Sequence, residues 1–282
     1  MRLLNISTRS RSAASGSGLK VIGLLLFCAT ALSAGAIIPA HTYIVAHFPL
    51  GGGWSTRLVF ENGSAADVTA DVSFFSQTGA VGGVPLEGQQ GLQTGQHLVI
   101  GRGQVATLNA DPTERNAGPL VVMWAKVTSS GPLNIVTLFD SSAPATVPTN
   151  VPATLITGAV AAQSAAAAPS FRFPISVGGP LFYNAGLAIA NSNPTAVNFN
   201  VLLLNADGTI SNSLAMSLQA NSQTSFVVSD PLIFGDNIDL SSPFVFNGSI
   251  VVCASQAVGL VPIGIEGGAL YTIPVTNDPC VG

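Results

Sequence analysis

The stretch WSTRLVFENGSAADVTADVSFFSQTG, residues 54–79, decides the fold once it is set beside YNAGLAIANSNPTAVNFNVLLLNADG, residues 183–208. At a constant offset of 129 residues Leu58 meets Leu187, Asn62 meets Asn191, Val68 and Val72 meet Val197 and Val201, and Gly79 meets Gly208. Trp54 faces Tyr183, Phe60 faces Ile189, and Phe74 and Phe75 face Leu203 and Leu204. In both copies the apolar residues alternate, as in Val68, Ala70, Val72, Phe74 and Val197, Phe199, Val201, Leu203. A period of two means a strand with one buried face. Asn62-Gly63-Ser64 and Asn191-Ser192-Asn193-Pro194 separate the strands with turn-forming residues, and Asp207-Gly208 between apolar runs signals a hairpin.

The correspondence continues outward with a changed offset. Gln104 meets Gln223 and Asp111-Pro112 meets Asp230-Pro231 at 119, so the first copy carries about ten extra residues in the Gly-rich stretch 79–97. Val127 and Ser130 then meet Val252 and Ser255 at 125, and each copy closes on an apolar strand, Leu133–Phe139 and Val258–Ile265. An x-apolar-Pro-apolar element recurs at His47–Leu50, Arg172–Ile175 and Thr272–Val275. Proline belongs on edge strands or strand ends, which places these elements at domain boundaries. Residues 141–170 are rich in Ala, Pro, Ser and Thr and read as a linker that includes either a short helix, a flexible run or a closing strand. The expected architecture is all-β: two tandem antiparallel β-sandwich domains, 43–140 and 171–282.

Residues 1–36 read as a signal peptide. Arg2, Arg9, Arg11 and Lys20 precede the apolar run Val21–Ser33, and Ala34-Gly35-Ala36 supplies small residues for cleavage. The run is shorter than the roughly 20 residues that span a bilayer, with an uncleaved anchor as the alternative. Membrane contact is thus expected only during export. Removing this segment leaves Arg57, Arg102, Arg115, Lys126 and Arg172 against 13 acids, a net charge of −8. Cys253 and Cys280 remain, either as a disulfide of an exported chain or as a buried thiol and a tail thiol.

With 48% hydrophobic and 8% charged residues the chain is neither disordered nor built to neutralise a nucleic acid. It holds no G-x-S-x-G, H-E-x-x-H, C-x-x-C or P-loop. Gly101-Arg102-Gly103-Gln104-Val105-Ala106 fits a relaxed dinucleotide pattern, but too little chain follows for the required helix. Only His41, His47 and His97 could serve a hydrolase triad. Glu61, Asp67 and Asp71 in the first copy are candidate paired carboxylates for glycoside hydrolysis, but Asp67 and Asp71 share one phase of a half-buried strand and read as its solvated face. Asp230, Asp236 and Asp239 form the densest oxygen cluster, a calcium site or a polar loop. No other cofactor is indicated. Trp54 and Tyr183 share one repeat position and are the candidate ligand-binding rings; the alternative is packing at a sandwich end.

The segments 51–79, 127–133 (VTSSGPL), 218–228 (LQANSQTSFVV) and Phe171–Ile175 resemble tandem repeats of bacterial secreted proteins described as immunoglobulin-like or fibronectin-like extracellular modules. The likeness spans most of residues 43–276, although Leu181-Phe182-Tyr183 stands where the first copy has Gly52-Gly53-Trp54. It implies an immunoglobulin-like fold and an extracellular, periplasmic or cell-surface location, and no catalytic residues. The expected function is a secreted, non-catalytic structural or adhesive module whose partner is a cell-surface or matrix component. A carbohydrate-binding module using Trp54 and Tyr183 is the alternative, and a hydrolase a more distant one.

Overall fold

The computed structural model describes residues 41–116, 118–141, 158–163, 167–179, 183–230, 232–234, 245–266, 269–277 and 280. The expected signal peptide, Asp236 and Asp239 lie outside these residues. Among the described residues ten strands precede residue 164: β1 (His41–Leu50), β2 (Trp54–Glu61), β3 (Val68–Ser76), β4 (Val84–Pro85), β5 (Leu92–Gln93), β6 (Gly95–Ile100), β7 (Val105–Asn109), β8 (Val121–Ser129), β9 (Asn134–Ser141) and β10 (Gly158–Gln163). Seven follow: β11 (Ala168–Gly178), β12 (Asn184–Ala190), β13 (Val197–Asn205), β14 (Ile210–Leu218), β15 (Gln223–Val227), β16 (Val245–Glu266) and β17 (Ala269–Thr272). Among the described residues all pairing is antiparallel, and a 3-10 turn covers Pro112–Asn116.

The first half forms two four-stranded sheets, β1-β8-β3-β6 and β10-β9-β2-β7. Their alternating residues meet in one core: Phe48, Val72, Phe74 and Val127 from the first sheet, Leu58, Phe60, Leu108 and Ile135 from the second. The second half pairs its strands the same way. Val245–Ala254 of β16 lies between β11 and β13, with β14 beyond, and Gly259–Glu266 lies between β17 and β12, with β15 beyond. One long strand does here what β8 and β9 do separately. The registers correspond: Val72 pairs with Val127 as Val201 pairs with Val252, and Phe60 with Ile135 as Ile189 with Leu260. Phe171, Phe173, Leu187, Val201, Phe234 and Leu260 sit in this second core. Fully burying each such side chain contributes roughly 1.5–3 kcal/mol.

The two asparagines of the repeat explain why both turns hold. Asn62 and Asn191 are each 0% exposed. The Asn62 Nδ2 donates to the carbonyls of Ala66 (2.8 Å), Ile100 (2.9 Å) and Gly101 (3.2 Å), and its Oδ1 accepts from the Ser64 amide and hydroxyl. The Asn191 Nδ2 donates to Thr195 (2.9 Å), Leu218 (3.2 Å) and Gln219 (2.9 Å), and its Oδ1 accepts from the Asn193 amide and side chain. A buried amide with every group paired locks one conformation. Each asparagine thus ties its own turn to the end of the outermost strand of the facing sheet, β6 or β14.

Several local expectations change on contact with the structure. Gly158–Gln163, in the stretch read as helix, flexible run or closing strand, is a strand along the edge of β9. Pairing with an open sheet edge overrides the helical preference of alanine. The first strand of the second half, β11, begins at Ala168. Trp124 lies inside β8. The extra residues after Gly79 form the small β4–β5 pair before the chain rejoins β3 through β6, whereas Asp207-Gly208 makes a direct β13–β14 hairpin. Two of the three Pro-containing elements lie on edge strands, β1 and β11, whereas in the third the strand β17 ends at Thr272 and Pro274 lies beyond it; the registers of the first two differ. Phe48 pairs with Met123, which corresponds to Gly248, and the partner of Gly248 is Ile175 rather than Phe173. An irregularity in β1 between Val45 and Phe48 accompanies this offset.

A third apolar cluster belongs to both halves. Ile44, Ala46, Trp124 and Phe139 meet Ala188, Ala190, Val261 and Ile263, and all are buried. Trp124 stacks on Phe75 with ring centroids 4.4 Å apart, and its Nε1 donates to the Asn221 carbonyl across the junction at 3.1 Å. The Gln223 amide donates to the Gln77 carbonyl beside it. The described residues of both halves therefore share one compact unit.

Candidate functional site

Trp54 and Tyr183 take equivalent backbone positions. The Trp54 amide donates to Gly51 and the Tyr183 amide to Gly178, closing the turns that lead into β2 and β12. Gly51, Gly52 and Gly53 all have positive φ, and Gly178 and Gly179 take over that conformation in the second half. The glycine role is thus shared although the aligned residues 181–182 are not glycines. Both rings are half-buried. Trp54 packs against the cluster at the junction of the halves. A hydrogen bond to Glu266 raises the Tyr183 phenol above its ordinary range, with burial and the carboxylate charge adding to it.

The titratable residues singled out from the sequence are dispersed. His97 Nδ1 and Asp71 Oδ1 are 2.7 Å apart on the exposed faces of β6 and β3. Asp67 accepts from the Arg102 amide, and Glu61 accepts from Asn134. Residues 101–104 form a turn between β6 and β7, closed by the Gln104 amide on the Gly101 carbonyl, and no helix opens there. Asp111 holds the Thr113 amide and hydroxyl, which keeps its carboxyl below the usual range. Asp230 does the equivalent for the Leu232 amide. Asp111 and Asp230 are thus turn anchors, and among the described residues no three His, Cys, Asp or Glu side chains gather as a metal site.

His47 is the exception in environment. Its Nδ1 is enclosed without a hydrogen-bond partner, and the ring meets Phe139 edge-on at 5.6 Å. Desolvation lowers its pKa from 6.5 to about 4, so it is neutral at ordinary pH.

Cys253 and Cys280 are joined in a disulfide, with Cα atoms 5.7 Å apart. Cys253 also lines an open cleft of about 620 Å³ on the outer face of β13, β14 and β16, alongside Asn198, Asn200, Met216, Ser217 and Ser255. Neither the cleft nor the bidentate Arg115–Asp140 ion pair (2.7 and 3.1 Å) was legible from spacing, because each joins elements distant in sequence. The alternation that faces Asn198, Asn200 and Ser217 outward was the available signal for the cleft.

Comparison with protein-family models, with curated proteins and with solved structures returned no match.

Proposed function

We propose that this protein is an exported, non-catalytic structural or adhesive module built from two tandem immunoglobulin-like β-sandwiches. The observation that carries the reading is what the two halves share. Among their common polar residues, Asn62 with Asn191, Asp111 with Asp230 and Ser130 with Ser255 hold turns and strand ends. What is duplicated is scaffold, and no reactive constellation is duplicated with it. The disulfide suits an oxidising compartment, in line with a cleaved signal peptide at 1–36. The half-buried settings of Trp54 and Tyr183 favour a packing role over a sugar-stacking platform. The partner on this reading is a cell-surface or matrix component.

The test is binding of the chain from residue 37 onward to intact cell walls and to a glycan array, beside Trp54→Ala and Tyr183→Ala. The reading predicts that both variants lose thermal stability and that cell-wall retention does not depend on either ring. Saturable glycan binding abolished in either variant, with its stability unchanged, would replace it with a carbohydrate-binding module.

A further inference from the structure

We propose that the open cleft on the outer face of β13, β14 and β16 is a binding site for a neutral oligosaccharide. This rests on the adhesive reading and names the chemistry of the surface component that the module holds.

Alternation along the strands builds the floor. Asn198 and Asn200 of β13, Ala215 and Ser217 of β14, and Cys253 and Ser255 of β16 line it, whereas Phe199 turns into the second core. The registers set these residues side by side: Ser217 pairs with Asn198, and Ala215 and Cys253 flank Asn200. Neighbouring strands lie about 4.8 Å apart, so the side chains form two short rows. Next along the same face Leu202 and Val251 are paired, apolar and buried, which bounds the cleft on that side. Its volume of about 620 Å³ lies within the roughly 300–1,000 Å³ of small-molecule sites.

The floor is polar and carries no charge. Among the described residues the side chains of Asn198, Asn200 and Ser217 have no hydrogen-bond partner, so two amides and one hydroxyl are open to a ligand. Ser255 Oγ accepts from the Asn198 amide at 3.2 Å and keeps its own O–H to donate. Each of these groups both donates and accepts. The matching ligand offers many groups of the same dual kind and no charge, which describes a neutral sugar. Its C–H groups rest on Ala215 and on the disulfide-bonded Cys253. A peptide suits the floor less well, because an added strand is read through main-chain groups at an open edge. Here the main chain of β13 and of Val245–Ala254 in β16 has strand partners on both sides.

The first half does not repeat this face. At the offset of 129 Thr69 and Asp71 stand where Asn198 and Asn200 stand, and Asp71 is engaged with His97 at 2.7 Å. The turn-holding residues are duplicated, whereas the uncharged, unpartnered amides belong to the second half alone.

The experiment titrates the isotope-labelled, disulfide-bonded chain from residue 37 onward with maltohexaose, cellohexaose, mannohexaose and chitohexaose, and reads amide NMR shifts. Hexagalacturonate and a casein hydrolysate are the charged and peptide arms. Expected is saturable binding of at least one neutral hexasaccharide, with shifts centred on Asn198, Asn200, Ser217 and Ser255, and none with the other two arms. The double variant Asn198→Ala, Asn200→Ala binds about tenfold more weakly or worse with its Tm unchanged, and Ser217→Phe, which fills the cleft, abolishes binding. Silence of all four hexasaccharides, shifts centred elsewhere, parental affinity in both variants, or a cleft that takes the charged or peptide arm instead would each overturn the proposal. The same variants are applied to intact cell walls. Retention that persists beside a silent cleft refutes the cleft and leaves the module reading standing. A cleft that binds sugar in a chain that cell walls do not retain refutes the module reading and leaves the cleft standing.

Discussion

Replacing Asn62 by alanine strips the buried turn of five hydrogen bonds, and Asn191→Ala does the same in the second half. The cost follows from where the partners are. The bonds to the Ile100 and Leu218 carbonyls are buried, so each truncation strands an acceptor that water does not reach. That costs about 1–3 kcal/mol, and the partly exposed bonds add about 1 kcal/mol net once water replaces them. The expected loss is about 3 kcal/mol for either variant. For a unit of this size it corresponds to a Tm drop of roughly 6–12 °C. Urea unfolding followed by Trp fluorescence reads the loss, with outward-facing Asn198→Ala as a control expected within about 0.5 kcal/mol of the parent. A loss below about 1 kcal/mol in either variant, or a cost for one several times the other, would refute the claim that the two asparagines are the same latch.

Three further outcomes are expected. His47 is held neutral by burial, so below pH 6.5 the unfolded chain binds a proton that the folded chain refuses until about pH 4. Its contribution is intact above pH 6.5 and is lost on descending to about 4, at most about 3 kcal/mol; denaturation midpoints of His47→Phe across that range will fall less steeply than the parent's. Gly79→Ala forces a side chain onto φ +89° and within 2.8 Å of the Ala220 carbonyl, so calorimetry will show a destabilisation of about 1–3 kcal/mol. Gly259→Val puts a Cβ into Ile44 where the halves meet, and the same measurement will show a lower Tm, whereas Gly63→Ala, which meets nothing within 4 Å, leaves it nearly unchanged.

What was legible in the sequence was whatever repeats over short distances. The alternation from Val68 to Phe74 and from Val197 to Leu203 names β3 and β13 and their buried faces, because a half-buried strand must show a period of two. The offsets between copies marked Val127 and Val252 as equivalent positions, and the structure pairs them with the equivalent Val72 and Val201. The functions of Asn62 and Asn191 were not legible. Their identity marked a turn, but Ile100 and Leu218 lie 38 and 27 residues away, and no local pattern ties them together. β10 was hidden for a different reason: an alanine-rich edge strand has no alternation to show. The junction was hidden because Trp124 reads as an ordinary core residue until the Asn221 carbonyl arrives from the other half. Of the candidate site, the cysteine pair was visible in the composition, while its pairing required the fold.

The central claim is an exported, disulfide-bonded module, and one intact-mass measurement tests it most directly. The full-length chain is expressed in a bacterial host, free thiols are alkylated under denaturing conditions, and the mass is taken for the protein found outside the cytoplasm. The account predicts a chain beginning near Ile37, lighter by two hydrogens than its fully reduced form and carrying no alkyl group. A protein retained in the cytoplasm at full-length mass, with Cys28, Cys253 and Cys280 all alkylated, would contradict it.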